Sequence, residues 1–235
     1  MNPVRRRNQV FDPIQRQLLG LDENFLAHSP ELNSRLHPAT LAAVLDLRAR
    51  AAKFDFDLRI ASSFRSFERQ LLIWNNKALG LRPVLDSAGA SLDVHRLSDR
   101  EKVFAILRWS ALPGASRHHW GTDLDVYGAA HIDPDYQIQL TVAETENDGP
   151  FAQFHRWLDV ELRQGACQFY RPYAEDRGGI APEPWHLSYA PLAKNYAQVF
   201  TQELLREQLE QAPLELKDTV LENLDEIFQC YIRVD

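Results

Sequence analysis

Hydrophobic positions along the chain recur with two different periods. From Pro38 to Ala52, Leu41, Val44 and Leu45 begin an apolar face at helical spacing, which predicts a helix. Next, Phe54, Phe56, Leu58 and Ile60 alternate with Asp55, Asp57 and Arg59, the period of a half-buried strand. That strand runs into Ser62-Ser63-Phe64-Arg65-Ser66, whose hydroxyls suit a turn and the cap of a helix over Phe67 to Leu79. Pro83, Gly89 and several small or polar residues predict a long loop from Arg82 to Asp99, of the kind that covers substrates. A helix is expected over Asp99 to Trp109, a break at Pro113-Gly114, a short strand near Thr122 to Tyr127 and a helix over Phe151 to Leu162. Gly178-Gly179 marks a turn before Ile180 to Ala190. Near the end, Val220, Leu224, Ile227, Phe228 and Tyr231 fall on one helical face. Helices with a few separated strands, without repeated strand–helix alternation, predict an α+β fold.

Composition narrows the function classes. A chain of 235 residues, 45% hydrophobic and 25% charged, suits one globular domain with a substantial core. The net charge of -7 argues against a nucleic-acid role, and Arg5-Arg6-Arg7, the only basic run, reads as a solvated terminus. No segment approaches the roughly 20 apolar residues of a membrane span. No apolar stretch follows the N-terminal arginines, so no secretory signal is expected and the cytoplasm is the predicted location. Cys167 and Cys230 are far apart among apolar and aromatic residues, which predicts buried free thiols.

Two clusters carry chemistry: Ser116-Arg117-His118-His119-Trp120-Gly121-Thr122-Asp123-Leu124-Asp125, and Glu183-Pro184-Trp185-His186. A catalytic zinc site needs three protein ligands, an open position, and a carboxylate able to take a proton from water. The clusters supply that set from two distant stretches. Spacing leaves the choice open between His118 and His119. It also leaves open Asp123 or Asp125, which point to the same face of a strand.

The pattern Ser116-x-His118-x-x-Gly121-x-x-x-Asp125 followed by Glu183-Pro184-Trp185-His186 resembles the signature of the D-alanyl-D-alanine metallopeptidases, the VanY/VanX-like zinc carboxypeptidases and dipeptidases. Ser62-Ser63-Phe64-Arg65-Ser66, with Gln70 beyond it, resembles an upstream segment of the same family, so the likeness runs from Ser62 to Tyr189. It implies a small antiparallel sheet carrying a Zn2+ site, flanked by helices with extra ones at the C-terminus. It implies a single peptidase domain with a core over about 38–195 and a helical extension over about 196–235. It further implies His118, Asp125 and His186 as zinc ligands, Glu183 as general base and later proton donor, and Arg65 as holder of the scissile carbonyl or the substrate carboxylate. Gly121 would allow the tight turn between ligands. Ser116 and Gln70 would support the site, Trp185 would wedge His186 in place, and Tyr189 is either a substrate contact or a core tyrosine. Two positions depart from the pattern. Asp123 stands where a small or apolar residue is usual, and Ser188 where a basic residue is frequent, so recognition of a substrate carboxylate is expected to differ. The expected partner is a D-alanine-terminated peptide from peptidoglycan precursors or turnover, with neither nucleic acid nor membrane. A dipeptidase, a murein endopeptidase and a non-catalytic zinc-bearing module are the alternatives.

Overall fold

The computed structural model describes residues 11–133 and 135–233; Arg5 to Arg7 lie outside them. The elements run α1 (Pro13–Leu18), β1 (Ala27–Ser29), β2 (Ser34–Leu36), α2 (Pro38–Ala52), β3 (Leu58–Ser62), α3 (Phe67–Ala78), β4 (Val84–Leu85), β5 (Ser91–Leu92) and α4 (Asp99–Trp109). They continue with β6 (Asp123–Gly128), α5 (Val142–Thr145), α6 (Ala152–Arg163), β7 (Phe169–Tyr170), β8 (His186–Tyr189), α7 (Ala190–Val199), α8 (Gln202–Gln211), α9 (Lys217–Glu222) and α10 (Leu224–Ile227). The central sheet is fully antiparallel in the order β3-β6-β8-β7, and two small hairpins, β1-β2 and β4-β5, stand apart from it. This is the α+β arrangement that the hydrophobic pattern predicts.

Strand period divides the sheet into two chemically different faces. Leu124 and Val126 of β6 and Leu187 and Tyr189 of β8 join Leu58 in a core closed by Val44 and Leu47 of α2 and Phe154 and Leu158 of α6. Asp123, Asp125, His186 and Ser188 alternate with them and so emerge on the opposite face. A second core brings Leu18 and Leu19, Trp74 of α3, and Val103 and Ile106 of α4 together with Leu205, Val220, Leu224 and Ile227 of the C-terminal helices. Trp74 is fully buried and donates from Nε1 to the Glu215 carbonyl, while Asn75 donates to the Pro213 carbonyl and accepts from the Glu215 amide. These bonds fasten α3 to the segment between α8 and α9.

Several expectations need correction. The alternation from Phe54 overstates the strand, which begins at Leu58. Phe54 and Phe56 amides bond back to Ala51, and Asp55 takes a left-handed conformation at φ 61°. Phe54 stays 58% exposed, so its place in the alternation is a helix-end turn rather than pleat. The stretch from Arg82 to Asp99 is not a plain loop. It folds into the β4-β5 hairpin, with Asp86 accepting from the Ala88 and Ala90 amides, and then a 3-10 turn over Val94–Arg96. The apolar C-terminal face is real but the helix is not continuous: it breaks at Asn223 and ends in a π-type turn over Phe228–Ile232. Both cysteines are free, yet Cys230 is exposed and Cys167 only half-buried.

Removing Trp74 would empty a large volume at the junction of α3 and the C-terminal helices. Trp74→Ala is expected to lower the unfolding free energy by about 3–5 kcal/mol, measured by urea denaturation of the metal-free protein. A loss below about 1 kcal/mol would show that the two segments are not coupled as described.

Candidate active site

The site begins with a 3-10 turn over Arg117–Trp120, between Ser116 and Gly121. Gly121 adopts φ 68°, and a Cβ there would meet Leu26 Cδ2 at 2.7 Å and the His37 amide nitrogen at 3.1 Å, so this end of the turn requires glycine. The turn sends its two histidines to different places. His119 is fully buried: its Nε2 accepts from the Gly114 amide at 3.1 Å, and its Nδ1 donates to the Arg65 carbonyl at 2.6 Å. Both nitrogens are thereby used in holding the chain. Burial pushes the His119 pKa down to about 3. Gly20 approaches the same ring so closely that a Cβ would fall 2.5 Å from Nδ1.

His118 turns instead toward the polar face of the sheet. Its Nδ1 donates to the Ser63 carbonyl at 2.9 Å, which leaves Nε2 free of hydrogen and 3.5 Å from Asp125 Oδ2. Burial lowers its pKa to about 4. Asp125 lies directly across from His186 in the β6–β8 register. His186 Nδ1 stands 3.3 Å from Asp125 Oδ1 and 3.2 Å from Glu183 Oε2. One nitrogen or oxygen atom from each of His118, Asp125 and His186 lies within 4.8 Å of the others. His186 Nδ1 and Asp125 Oδ1 are buried without a hydrogen-bond partner among the described residues, close in space but not aligned to bond each other. Two orphaned polar atoms aimed at one point, with a nitrogen lone pair beside them, fit a cation with a taste for imidazole and carboxylate.

Behind His186 lies a polar cluster that sequence reasoning did not assemble. Asp123, fully buried, accepts from His186 Nε2 at 2.9 Å, Arg117 Nε at 3.0 Å, Thr122 Oγ1 at 2.6 Å and Ser188 Oγ at 3.1 Å. Arg117 also donates to Ser188 Oγ at 2.9 Å. Burial works against the Asp123 charge, but Arg117, His186 and Thr122 outweigh it and hold its pKa at about 2. Burial likewise opposes charge on His186, yet the Asp123, Asp125 and Glu183 carboxylates raise its pKa well above the usual value. Ser188 thus belongs to this buried cluster and does not line the cavity.

Arg65 precedes α3, whose N-cap is Ser66, and its own amide bonds to the His118 carbonyl. Its guanidinium donates to Gln70 Oε1 at 2.8 Å and Ser62 Oγ at 3.2 Å, and Gln70, fully buried, is anchored to the Ala111 carbonyl at 2.6 Å. Glu183 sits in the segment leading to β8, with its amide bonded to the Tyr173 carbonyl. Arg171 donates to the Pro184 carbonyl at 2.5 Å and ion-pairs with Asp159, which steadies that segment.

These groups open onto a cavity of about 710 Å3. Arg65, His118, Asp125, Glu183, Trp185 and His186 line it, as does Ser116, whose Oγ has no hydrogen-bond partner among the described residues. The hairpin tip Ser87–Gly89 lines it too, and so does the run 139–143. Glu144 pins that run by accepting from the Gln139 and Thr141 amides and the Tyr136 hydroxyl; the Thr141-x-x-Glu144 capping box was the sequence signal for it. Tyr189 does not line the cavity. It points into the core under the sheet, packs on Phe169 and donates to Gln168, which settles it as a core tyrosine. A second cavity of about 940 Å3, lined by Tyr170, Lys194, Phe200 and Phe228 among others, contains none of the clustered ligating groups.

The D-alanyl-D-alanine carboxypeptidase family VanY matches residues 33–192, more than half of the chain and the whole of this site. The chain belongs to the VanY family. The three motifs that resemble it all fall inside the match, whereas α8 to α10 lie beyond it. Two uncharacterized proteins of Haemophilus influenzae are similar: one is 48% identical over 98 residues, 40% of this chain and 67% of that protein. The other is 31% identical over 123 residues, covering 52% and 92%. Among solved structures, VanYB in complex with D-Ala-D-Ala is 21% identical, with 79% of this chain and 88% of that one aligned at a TM-score of 0.49. A VanY D,D-pentapeptidase mutant in complex with Zn(II) is 23% identical, covering 77% and 88% at a TM-score of 0.47. Among the described residues, no helix is long and apolar enough to cross a membrane.

The neutral, buried state of His119 can be tested by pH. Because the folded pKa of His119 is depressed to about 3, its neutral ring stabilises the fold fully above the unfolded value near 6.5. That contribution declines as pH falls, since only the unfolded chain gains the proton. The stability margin of the metal-free wild type over His119→Gln should therefore shrink by about 2 kcal/mol between about pH 7.5 and pH 5. A margin that stays constant in urea titrations would refute a neutral buried ring.

Proposed function

We propose that this protein is a zinc-dependent carboxypeptidase that removes the terminal residue from D-alanine-terminated peptides of peptidoglycan precursors or turnover. The observation that carries the reading is the convergence of one ligating atom each from His118, Asp125 and His186 within 4.8 Å, two of the three residues contributing unpartnered buried atoms, with Glu183 alongside. Membership of the VanY family supports the same substrate class.

On this reading His118, Asp125 and His186 hold the metal. Bound zinc supplies Lewis acidity, bringing the pKa of water toward neutrality and polarising a carbonyl. The protein's own groups do the rest. Ser63 and Asp123 each accept a proton-bearing imidazole nitrogen, which fixes both tautomers so that the opposite nitrogens present lone pairs to the site. Glu183 takes the proton of the attacking water and passes it to the nitrogen of the leaving amino acid. Arg65, held by Gln70 and Ser62, offers its remaining N–H groups to the oxyanion that develops on the scissile carbonyl. Asp123 has all its capacity committed to four donors and stays ionised, so it orients His186 rather than exchanging protons with substrate.

The ligand assignment predicts about one zinc per chain by elemental analysis, lost in His118→Ala and in His186→Ala. Glu183→Ala should keep its zinc while kcat drops about a hundred- to ten-thousandfold. Full metal content in the histidine variants, or near-normal turnover of the zinc-loaded Glu183→Ala protein, would reject the assignment. The orienting role of Asp123 predicts that Asp123→Asn binds zinc about 10- to 100-fold more weakly in competition with a chelator. Unchanged affinity would reduce Asp123 to a partner of Arg117 alone.

A further inference from the structure

Three cations line the catalytic cavity, and the fold engages two of them, Arg117 being paired with Asp123. Arg65 is clamped by Gln70 and Ser62. Lys77, in the last turn of α3, lines the same cavity, and among the described residues no hydrogen bond or ion pair engages its ammonium group. Gln70 and Lys77 are seven positions apart on one helix, which returns to the same face about 10.5 Å further along. Helical side chains lean toward the N-terminus, so the Lys77 stem runs back toward the pair formed by Arg65 and Gln70. Burial first, then the charges of Arg82 and Arg65, lower the pKa of Lys77. A partly desolvated cation near two others, with no ion-pair partner among the described residues, is costly for an empty cavity and favourable for an anionic ligand.

We propose that Lys77 binds the carboxylate of the substrate's C-terminal residue while Arg65 serves the scissile carbonyl. The assignment rests on the peptidase reading above and deepens it. A peptide bond inside a longer chain brings no carboxylate to that position, and an endopeptidase would leave the partly desolvated cation unpaired. Lys77 therefore selects for exopeptidase action.

The test compares a peptide ending in D-alanine with its C-terminal amide, using zinc-loaded wild type, Lys77→Met and Lys77→Arg. A charge-assisted bond is worth about 1.5–3 kcal/mol, or about 10- to 100-fold. Lys77→Met should narrow the acid-over-amide preference in kcat/KM by that factor, mainly through KM, and Lys77→Arg should restore part of it. A merely structural lysine would depress both substrates alike, and an unchanged ratio overturns the proposal. Calorimetric binding of D-alanyl-D-alanine to wild type and Lys77→Met gives a readout independent of turnover. Weaker binding to the variant upholds the carboxylate site even where no hydrolysis is seen, which would count against the peptidase reading alone. Equal binding to both proteins overturns the proposal.

Discussion

The antiparallel pairing of β6 with β8 places Asp125 opposite His186, and the rest of the site is arranged around that register. Directly opposed side chains in such a pair lie about 4.5–5.5 Å apart, a separation that one small cation can bridge. A slip by one residue would send His186 to the other face and bury Leu187 among carboxylates. Leu124, Val126 and Leu187 make that slip expensive because they fill the core against α2 and α6. Burial of apolar surface under the sheet thus sets the geometry of the polar groups above it. The third candidate ligand, His118, comes from outside the sheet but is tied to it, since the Ser63 carbonyl that accepts its Nδ1–H lies just beyond β3 and Ser62 pairs with Asp125.

The buried ion pair of Arg117 and Asp123 sits beneath this arrangement, with side chains 3% and 0% exposed. Desolvating two charges offsets much of their attraction, so such a pair is weak evidence for stability in itself. Its geometry suggests a different benefit. Every acceptor position of Asp123 meets a donor, and the one donor that belongs to the site is His186 Nε2. Arg117 keeps Asp123 ionised, and ionised Asp123 holds an N–H of His186 at Nε2, so that a metal at the site would displace only the proton on Nδ1. Replacing the pair by apolar residues would leave the imidazole free to choose its tautomer.

Much of this was legible in the residues. Helices with caps and clean periodicity, α2 and α4, fall where the pattern places them, because propensity and packing agree there. Strand parity alone could have assigned Tyr189 to the core: it is three positions from His186, so the two must face opposite ways. Spacing could not separate His118 from His119, since a 3-10 turn, unlike a strand, does not alternate, and their different fates depend on Gly114, Ser63 and Arg65. The cluster around Asp123 joins residues up to 71 positions apart, and only the fold brings Arg117 to Ser188. Lys77 gave no motif to notice. Its interest comes from what surrounds it, which a sequence does not state.

The charge balance of the molecule and that of its cavity point in opposite directions. A chain of net charge -7 repels anionic peptides at a distance, but at physiological salt that repulsion is screened within about 8 Å. The cavity lining carries Arg65, Lys77, Asp125 and Glu183, whose four formal charges cancel, and Arg117, whose charge is balanced by Asp123 behind it. A divalent metal held by His118, Asp125 and His186 would tip this near-neutral set to a net charge of about +2, in a low-dielectric recess where such a field is strongest. Affinity for an anionic substrate would then depend on metal loading as well as on shape. The same ion that acidifies water would complete the electrostatic recognition of the peptide's terminus, coupling binding to competence without a moving part.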